Sequence, residues 1–394
     1  MALDVVIVGA GIAGCAAAIA LAGAGHRVRV LERETEWRFQ SSGIFVYANG
    51  LETLDDLGVL PNILASGFAI PDGVNANFDH HGEPIVETRY PTARGGRVPA
   101  IVGIKRAELH RVLSARMTAL GVPVSLGVTV KSVDDTGARV RVETSQGDVT
   151  GDLVIGADGV RSWVRAQIAA DIVPRNTGFG VWRSVHRRPA GLVQKIMQMG
   201  PAKRYGIMPI SDDRLYTFGT VAHPVGMHVP PSEWVTRMRA AFAEFDGPVR
   251  PFREALDDTS EVLFTVVEEV VMPLPWHRGR VLLIGDAAHA STPFMGQGGA
   301  MAMQDGVVLA RALAAEPDLP RALDLFGEVR LPVCQFVQDV SRAVGEGGAN
   351  EDIASLPARN ARMRETAQGA VDGFYGKLAA MNAAVEARLA TPEV

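Results

Sequence analysis

The stretch from Asp4 to Arg33 restricts the possible folds more than any other part of the chain. A short apolar run, Val5 to Val8, precedes the turn Gly9-Ala10-Gly11-Ile12-Ala13-Gly14, which leads into an alanine-rich helical segment. A second strand follows from His26 to Leu31. A G-x-G-x-x-G turn between a strand and a helix is typical of a βαβ unit that binds a dinucleotide. Glu32 lies close to the spacing expected for an acidic group on a ribose.

Each glycine of this turn has a physical role in such a unit. Gly9 permits the sharp turn, Gly11 lets a diphosphate approach the backbone, and Gly14 allows the helix to pack on the sheet. Unpaired amides at the start of the helix then bind phosphate. Two other interpretations are a βα unit without a ligand and a membrane span. Three glycines at turn spacing and the charged strand that follows argue against the span.

The composition excludes several function classes. The 394 residues contain 47% hydrophobic and 21% charged residues, and the net charge is −5, so nothing in the charge favours nucleic acid or an anionic membrane. Only two cysteines are present, Cys15 and Cys334, too few for a thiolate metal site or a disulfide framework. We therefore expect no metal, no integral membrane segment and a cytoplasmic location.

Two further motifs place glycine and aspartate after an apolar strand. The first is Asp158-Gly159 at the end of LVIGADG, and the second is Gly285-Asp286 at the end of VLLIGDA. A glycine-rich turn from Pro293 to Ala300 then precedes a helix predicted over 301–313. A second helix start with exposed amides suggests that one long ligand contacts both glycine-rich turns.

The alternation of patterns predicts an α/β (α+β) protein with a discontinuous core domain. Helix and strand patterns of the core occupy 1–71, 102–177 and 272–350. Short alternating strands at 72–101 and 178–271 predict an inserted, mostly antiparallel sheet that covers a ligand. The region from Leu319 onward is expected to be largely helical, with a break at the Gly-Glu-Gly-Gly segment 345–348. The tail, 351–394, is expected to be helical and to pack on the body or on a second subunit, which gives a monomer or a homodimer.

Three motifs together carry a family resemblance. The turn at 9–14, DLVIGADGVRSWVR at 152–165 and RVLLIGDAAHASTPFMGQGGAMAMQDG at 280–306 occur in the order found in single-component flavoprotein monooxygenases. From residue 2 to about 345, the chain resembles this para-hydroxybenzoate hydroxylase type. The resemblance implies a Rossmann-like FAD-binding domain, an inserted substrate domain, and C-terminal helices. It also implies NADH or NADPH as transient co-substrate without a separate nicotinamide domain. In that family the flavin C4a-hydroperoxide hydroxylates an aromatic or heteroaromatic ring.

The resemblance also implies which residues bind FAD. Glu32 is expected on the adenosine ribose, Arg106 near the diphosphate and Asp286 on the ribityl chain, with 296–300 beside the isoalloxazine. Arg33 either stacks on the adenine or is exposed to solvent. The expected cofactor-binding residues are Gly9, Gly11, Ile12, Ala13, Gly14, Glu32, Arg33, Ser42, Gly43, Arg106, Val130, Asp158, Asp286, Pro293, Gly296, Gly298, Gly299 and Ala300.

The substrate side resembles the salicylate, 3-hydroxybenzoate and urate hydroxylases. The segments 202–210 and 214–216 look like the urate hydroxylase region whose Arg and Tyr face the substrate. Arg204 and Tyr216 are therefore the candidate catalytic residues: Arg204 would fix an anionic or carbonyl-bearing ring, and Tyr216 would orient or deprotonate it. In the alternative interpretation, both side chains simply point outward from sheet strands and have no catalytic role.

Two departures from the urate enzymes bear on the substrate. Phe294 stands where those enzymes carry an acidic residue, which disfavours urate and favours a flatter, less polar ring. Ser41 and Ser42 replace a small Gly-Ala pair before Gly43.

Apolar residues of the inserted sheet have two possible positions. Trp182 and Phe294 are expected to line the substrate pocket with Met208 and Phe218, or else to form sheet core. The basic residues Arg183, Arg187 and Arg188 form a cluster that either guides an anion or lies on a solvated strand edge, and the strand edge is the favoured interpretation.

Two competing functions remain at this point. One is a flavin-dependent dehydrogenase or reductase on the same scaffold that does not insert oxygen. The other is a dinucleotide-binding sensor without catalysis, which would need only the first glycine-rich turn.

Overall fold

The computed structural model describes residues 2–37, 42–349 and 352–390. Ser41 lies outside the described residues. The strands, in chain order, are β1 (Asp4–Val8), β2 (Arg27–Leu31), β3 (Gly43–Tyr47), β4 (Phe68–Ala69), β5 (Val74–Asp79), β6 (Pro84–Arg89), β7 (Ile101–Lys105), β8 (Val124–Ser125), β9 (Val130–Asp134), β10 (Val140–Thr144), β11 (Val149–Gly151), β12 (Leu153–Gly156), β13 (Arg175–Arg187), β14 (Lys195–Met199), β15 (Arg204–Pro209), β16 (Arg214–Ala222), β17 (Val262–Glu269), β18 (His277–Arg278) and β19 (Val281–Leu283). The helices are α1 (Ile12–Gly23), α2 (Ala48–Asp56), α3 (Leu60–Ser66), α4 (Arg106–Ala119), α5 (Trp163–Ile168), α6 (Trp234–Ala241), α7 (Arg250–Glu254), α8 (Asp286–His289), α9 (Gly298–Ala315), α10 (Leu319–Gly348) and α11 (Leu356–Ala390).

A six-stranded sheet forms the centre of the core, in the order β18-β19-β12-β1-β2-β8. Strands β19 to β8 run parallel, and β18 pairs antiparallel with β19. The sequences of β1 and β12 are almost continuously apolar, as expected of parallel strands covered on both faces. Because β1 connects onward to β2 on one side and borders β12 on the other, a ligand crevice is expected at their carboxyl ends. The predicted fold class is confirmed.

Helices α1 and α9 pack closely on this sheet and on each other. Gly306 of α9 comes so near to α1 that an added Cβ would lie 2.6 Å from the Cα of Ala17. The alanine-rich composition of α1 permits this approach because Ala16, Ala17 and Ala18 are fully buried and small.

The inserted strands form a seven-stranded sheet in the order β17-β13-β16-β15-β14-β5-β6. All neighbours are antiparallel except β14 and β5, which are parallel. One face packs on α6 and α7 through a separate core that includes Tyr205, Phe242 and Phe245. The other face approaches the small antiparallel sheet β3-β7-β4, where a Cβ at Gly103 would overlap the carbonyl oxygen of Pro209. This second face is therefore directed toward the two glycine-rich turns.

The C-terminal helices differ from expectation at one point. The predicted break at 345–348 is wrong, because α10 continues through it to Gly348. The glycines leave room for side chains rather than ending the helix: a Cβ at Gly345 would overlap the ring of Phe294, and one at Gly348 would overlap the guanidinium of Arg204.

The C-terminal helix α11 packs on the body of the protein. Its Phe374, Tyr375 and Leu378 join the main hydrophobic core, and the Phe374 ring stacks on Phe336 of α10 with centroids 5.3 Å apart. Among the described residues, no helix is both long enough and apolar enough to cross a bilayer.

Candidate active site

The first glycine-rich turn has the geometry that a bound diphosphate requires. Gly9 has φ +104°, and a Cβ there would lie 2.6 Å from the carbonyl oxygen of Ala157. A Cβ at Gly14 would overlap the carbonyl oxygen of Gly9, so this glycine brings α1 onto the turn. Gly11 is different, since nothing lies within 4 Å of an added Cβ. The space beside Gly11, at the N-terminus of α1 with Ile12 and Ala13, is open.

The end of β2 carries the acidic residue of the unit. Glu32 Oε2 accepts a hydrogen bond from Ala10 N at 2.8 Å, so its carboxylate lies against the glycine-rich turn. His110 of α4 also contacts Ala10, with its Nε2 2.6 Å from Ala10 O. Val128 N donates to Glu32 O at 2.8 Å, which places the start of β9 at Val130 beside this end. Arg33 is exposed, with 79% of its side chain accessible.

Asp158 follows β12 and holds the next loop in place. Its Oδ2 accepts from Trp163 N at 2.7 Å and Val164 N at 3.0 Å, so the carboxylate caps α5. The buried Arg165 then donates to Ala287 O at 2.9 Å. This bond joins the Asp158 loop to α8, which begins at Asp286.

The segment that carries Asp286 rests on a buried charged cluster. Asp305 accepts hydrogen bonds from Gly285 N at 2.7 Å and Arg330 Nε at 2.8 Å, and its Oδ2 lies 2.6 Å from His289 Nε2. Atoms of Asp305, His289 and Cys334 lie within 4.8 Å of one another. Because both Asp305 oxygens already accept hydrogen bonds, we assign the cluster to holding the Gly285 turn rather than a metal.

Asp286 itself is exposed at the first position of α8. In the described part of the chain, its carboxylate forms no hydrogen bond or ion pair with another residue. It is therefore available to a ligand in the crevice.

The second glycine-rich turn follows at the start of α9. Gly296 has φ +65°, and a Cβ there would overlap the ring of Phe45. Gly298 and Gly299 begin α9, and Ala300 is buried against Gly50 of α2. Pro293 opens the 3-10 turn Pro293–Met295. Ser341 of α10 fixes this turn, since its Oγ accepts from Thr292 Oγ1 at 2.7 Å.

The face of the seven-stranded sheet above this turn carries two arginines and a tyrosine. Tyr216 pairs with Met208, and Phe218 pairs with both Arg183 and Gly206, so alternation along the strands puts these side chains and Arg204 on one face. The Tyr216 ring lies on the backbone of Gly43, where a Cβ would overlap it. Phe294 reaches this group from the turn, with its centroid 5.7 Å from Arg204 Cζ and 5.0 Å from that of Phe179.

Ser42 and Gly43 connect this face to α4. The carbonyl oxygen of the buried Ser42 accepts from Arg106 N at 2.8 Å, and Gly43 pairs with Lys105. Arg106 begins α4 and its side chain is exposed.

Burial sets the charge states on the sheet face. Desolvation lowers the pKa of Arg183 to about 10 and that of Arg204 to about 10, although both side chains keep some accessible surface. Both guanidiniums remain charged at neutral pH. Arg183 donates to Thr265 Oγ1 at 2.7 Å and Arg204 Nη2 to Val344 O at 2.6 Å. Burial raises the pKa of Tyr216 well above its usual value, so its hydroxyl stays protonated.

Trp182 is a correction. Of its two expected positions, the substrate pocket is wrong and the sheet core is right, because Trp182 lies on the opposite face of the sheet from Arg183 and Tyr216. Its ring packs against Phe264, with centroids 4.4 Å apart, in the core under α6. A tryptophan on this face cannot reach a ligand beside Gly296 because the sheet lies between them.

The solvated arginine edge is a second correction. Strand β13 pairs on both sides, with β16 and β17, so Arg183 lies inside the sheet rather than at its edge. Arg188 donates to Ser211 O at 3.0 Å and lies over the Phe68 ring. Only Arg187 is exposed as expected.

Residues 2–341 match the family model described as FAD binding domain. The chain belongs to this family. It is 32% identical over 375 residues to an aurachin C monooxygenase/isomerase from Stigmatella aurantiaca, covering 94% of this chain and 96% of that protein. It is 34% identical over 370 residues to 2-heptyl-3-hydroxy-4(1H)-quinolone synthase of Pseudomonas aeruginosa, covering 92% and 94%. Klebsiella pneumoniae HpxO complexed with FAD and uric acid has a similar fold, with TM-score 0.85, 26% identity and coverage of 95% and 96%.

The flavoprotein is thus an FAD-dependent monooxygenase. The predicted cofactor and the predicted hydroxylation of an aromatic or heteroaromatic ring are confirmed. The individual cofactor and substrate contacts stay predictions.

The described residues fit FAD. The open space at Gly11 would take the diphosphate, which α1 can bind with the free amides of its first turn. Asp286 offers an unpaired carboxylate for ribityl hydroxyls, and the first turn of α9 has no acidic side chain to repel a carbonyl-rich ring. The open backbone at Gly11 and the exposed carboxylate of Asp286 are therefore both accessible to the cofactor.

Three residues of this flavoprotein were not predicted from the sequence: His110, Lys195 and Tyr375. His110 follows Arg106 by four residues on α4, so helical spacing contained a signal. Lys195 bonds Tyr47 and Tyr375 bonds Gln297 through contacts between segments far apart in the chain, and the sequence contains no comparable signal for them. Gln297 lies within the predicted segment 296–300, but its side-chain partners were not predicted.

Proposed function

We propose that this monooxygenase hydroxylates a planar, electron-rich ring that carries an oxyanion or a carbonyl, and that a 4-quinolone is the best-fitting class. The observation that carries the proposal is the pair of guanidiniums, Arg183 and Arg204, on one aromatic sheet face. In the described part of the chain, neither forms an ion pair with a carboxylate. Two unpaired cations beside apolar rings suit a flat ligand with negative oxygen.

The side chains of this face would have two different roles in binding the substrate. Phe45, Phe218 and Phe294 would sandwich the ring and exclude water, while Arg183 and Arg204 would bind its oxygen. Nearby cations lower the pKa of a ring hydroxyl, so they favour the deprotonated and more electron-rich form of the substrate. The protonated hydroxyl of Tyr216 would orient the ring by donating a hydrogen bond, and it would not act as a base.

The cofactor supplies the difficult chemistry. Bound FAD provides the reductive activation of O2 that inserts one oxygen atom into the ring. The protein residues bind, orient and desolvate the substrate beside 296–300.

The quinolone class rests on two further supports. The quinolone synthase of Pseudomonas aeruginosa and the aurachin C monooxygenase/isomerase are among the similar proteins. Phe294, which contacts Phe179, makes this part of the face apolar where a purine would need polar partners. Both points favour the less polar quinolone ring over urate.

Several other predictions belong to this proposal. NADH or NADPH would be the electron donor, and the protein would act as a monomer or a homodimer. The core segments 1–71, 102–177 and 272–350 would hold FAD, and 72–101 with 178–271 would cover the substrate. Two buried free cysteines, Cys15 and Cys334, support a reducing cytoplasmic location.

The test is an oxygen-consumption assay with the purified FAD-loaded protein. NADH or NADPH oxidation is followed with 2-heptyl-4-quinolone, 4-hydroxyquinoline, salicylate, 3-hydroxybenzoate and urate, and hydrogen peroxide is quantified. We expect the quinolones to stimulate oxidation with little peroxide and to gain one oxygen atom from 18O2. Coupled hydroxylation of a benzoate without any response to quinolones would overturn the proposed class. Oxidation of a substrate without 18O incorporation would point to a dehydrogenase.

A further inference from the structure

Gln297 is a buried residue at the centre of the second glycine-rich turn. It lies between Gly296, with φ +65°, and Gly298, the first residue of α9, and only 1% of its surface is exposed. Backbone hydrogen bonds hold both ends of the turn, with Gly296 N donating to Pro293 O at 3.0 Å and Met301 N to Gln297 O at 2.9 Å. The two flanking glycines restrict the backbone less than other residues would, so the contacts of the Gln297 side chain add to the restraint on this turn.

Two helices hold that side chain from opposite directions. Asn49 of α2 donates from Nδ2 to Gln297 Oε1 at 2.8 Å. Gln297 Nε2 donates to the hydroxyl of Tyr375, on α11, at 3.3 Å. The anchors lie 248 residues before and 78 residues after Gln297 in the chain.

Tyr375 belongs to a cluster of tyrosines around a buried cation, the tyrosine cage of Tyr47, Tyr90, Tyr375 and Lys195. The ring centroids of Tyr47 and Tyr90 each lie 5.4 Å from that of Tyr375. Lys195 Nζ donates to Tyr47 OH at 3.1 Å and Tyr90 OH at 3.4 Å, and the lysine is 4% exposed. Among the described residues it forms no ion pair.

The lysine sets the hydrogen-bond direction at Tyr47. An ammonium only donates, so the hydroxyl of Tyr47 must accept from Lys195. The Tyr47 ring packs against the ring of Tyr375, whose hydroxyl accepts from Gln297 Nε2. Phenylalanine at position 375 would keep the ring packing and lose the hydrogen bond to Gln297.

We propose that Tyr375 is a positioning residue of the cofactor site, and that α11 completes this site by fixing Gln297 in the second glycine-rich turn. The inference rests on the proposed placement of the flavin beside 296–300. Helix α11 is itself fixed, because Gln368 hydrogen-bonds both the amide and the carbonyl of Arg89 on β6. The C-terminal helix thus acts on the flavin environment without contacting the substrate.

The test compares Tyr375→Phe with Tyr90→Phe in the FAD-loaded enzyme. Tyr90 shares the tyrosine cage and accepts a hydrogen bond from Lys195, but it forms none with the Gln297 side chain, so it controls for disturbance of the cage. The readouts are the visible circular dichroism of bound FAD, the Kd for FAD, the thermal midpoint and the peroxide formed per NAD(P)H.

We expect Tyr375→Phe to change the visible dichroism, to weaken FAD binding about fivefold, the effect of one hydrogen bond, and to raise the peroxide fraction. Tyr90→Phe should retain the wild-type dichroism and FAD affinity. Asn49→Asp removes the other anchor, because a carboxylate cannot donate to Gln297 Oε1, and it should reproduce the Tyr375→Phe spectrum.

Other outcomes separate the possible failures. Wild-type dichroism and FAD affinity in Tyr375→Phe would overturn the inference, as would equal losses in the Tyr375 and Tyr90 variants. A wild-type protein that binds FAD but hydroxylates no ring would contradict the proposed substrate class and leave this comparison intact.

Discussion

Arg330 Nε lies 2.8 Å from Asp305 Oδ1, and both side chains are completely buried between α9 and α10. The other carboxylate oxygen of Asp305 accepts from Gly285 N, which begins the turn that carries Asp286. The buried ion pair between α9 and α10 thus supports the turn at Gly285, which is predicted to contact the cofactor.

Breaking this pair is expected to cost stability and FAD affinity together. Arg330→Met removes one of the two cationic partners of the buried Asp305 and leaves His289 as the other, and we expect a loss of about 3 kcal/mol in the free energy of unfolding. Arg321→Met, on the exposed side of the same helix, is the control and should change little. Urea unfolding and FAD titration check both variants. An Arg330→Met protein with wild-type stability would contradict this role.

The same cluster predicts how stability depends on pH. Burial alone would lower the pKa of His289, but Asp305 and Cys334 raise it well above 6.5. A raised pKa stabilises the fold fully below the unfolded value of 6.5, and this contribution is lost as pH rises through the higher folded value. Urea midpoints should therefore fall above pH 6.5 in the wild type.

His289→Gln should remove that part of the pH dependence. Asp305 contributes in another window: burial opposes its charge, but His289 and Arg330 lower its pKa below 3.8, so its contribution is lost only in strong acid. Parallel midpoint curves for the wild type and His289→Gln between pH 6 and 9 would contradict the assignment.

Two glycines of the first turn should respond differently to alanine. Gly11 has extended backbone, and nothing lies within 4 Å of an added Cβ, so Gly11→Ala should change stability by less than about 1 kcal/mol. The methyl group would occupy the diphosphate space and weaken FAD binding by more than about tenfold. Gly14→Ala meets the Gly9 carbonyl and should destabilise the apoprotein by about 1–3 kcal/mol.

Thermal unfolding of the apoproteins and FAD titration separate the two effects. Unchanged FAD affinity in Gly11→Ala would show that the diphosphate does not lie there. Lower stability in Gly11→Ala than in Gly14→Ala would contradict the geometry of the turn.

Local patterns predicted much of the core because the relevant contacts are short in sequence. The turn at Gly9 follows β1 and precedes α1, so strand, glycine and helix signals lie side by side. Strands β9 and β10 are likewise close in sequence, and they pair antiparallel in the structure. These elements are set by hydrophobic period and turn chemistry.

The faces of the inserted sheet were not predictable in the same way. Trp182 and Arg183 are adjacent, and alternation requires them to point to opposite faces, but it does not say which face meets the cofactor turns. The sequence left two positions open for each: Trp182 in the substrate pocket or in the sheet core, and Arg183 near an anion or on a solvated strand edge. The structure has Trp182 in the sheet core and Arg183 inside the sheet on the opposite face. Helix α6 determines which face is buried, because it covers one face through Phe242. No local pattern in the sequence predicts this packing.

Tyr216 is predicted to bind the substrate as a neutral hydrogen-bond donor. Because burial raises its pKa, it stays protonated through the neutral range and does not serve as a base. Tyr216→Phe should lower kcat/KM about tenfold, the effect of one hydrogen bond, without changing the shape of the pH profile. Tyr205→Phe on the opposite face, where Tyr205 OH lies 3.3 Å from Thr217 Oγ1, is the matched control. If kcat/KM of the wild type changes with pH near neutrality and this dependence is absent in Tyr216→Phe, the prediction is contradicted.

Arg204 is predicted to provide much of the affinity for a ring oxygen. Arg204→Gln keeps a donor near Val344 O but removes the charge from a partly desolvated site, where a charged hydrogen bond contributes about 1.5–3 kcal/mol. We expect the substrate Kd to rise between about tenfold and a hundredfold, with FAD affinity unchanged. Arg187→Gln, an exposed position on β13, should behave as wild type. Flavin-fluorescence titration with the stimulating substrate and with an analogue lacking the ring oxygen measures the effect. If Arg204→Gln weakens both compounds equally, the guanidinium shapes the pocket and does not recognise the oxygen.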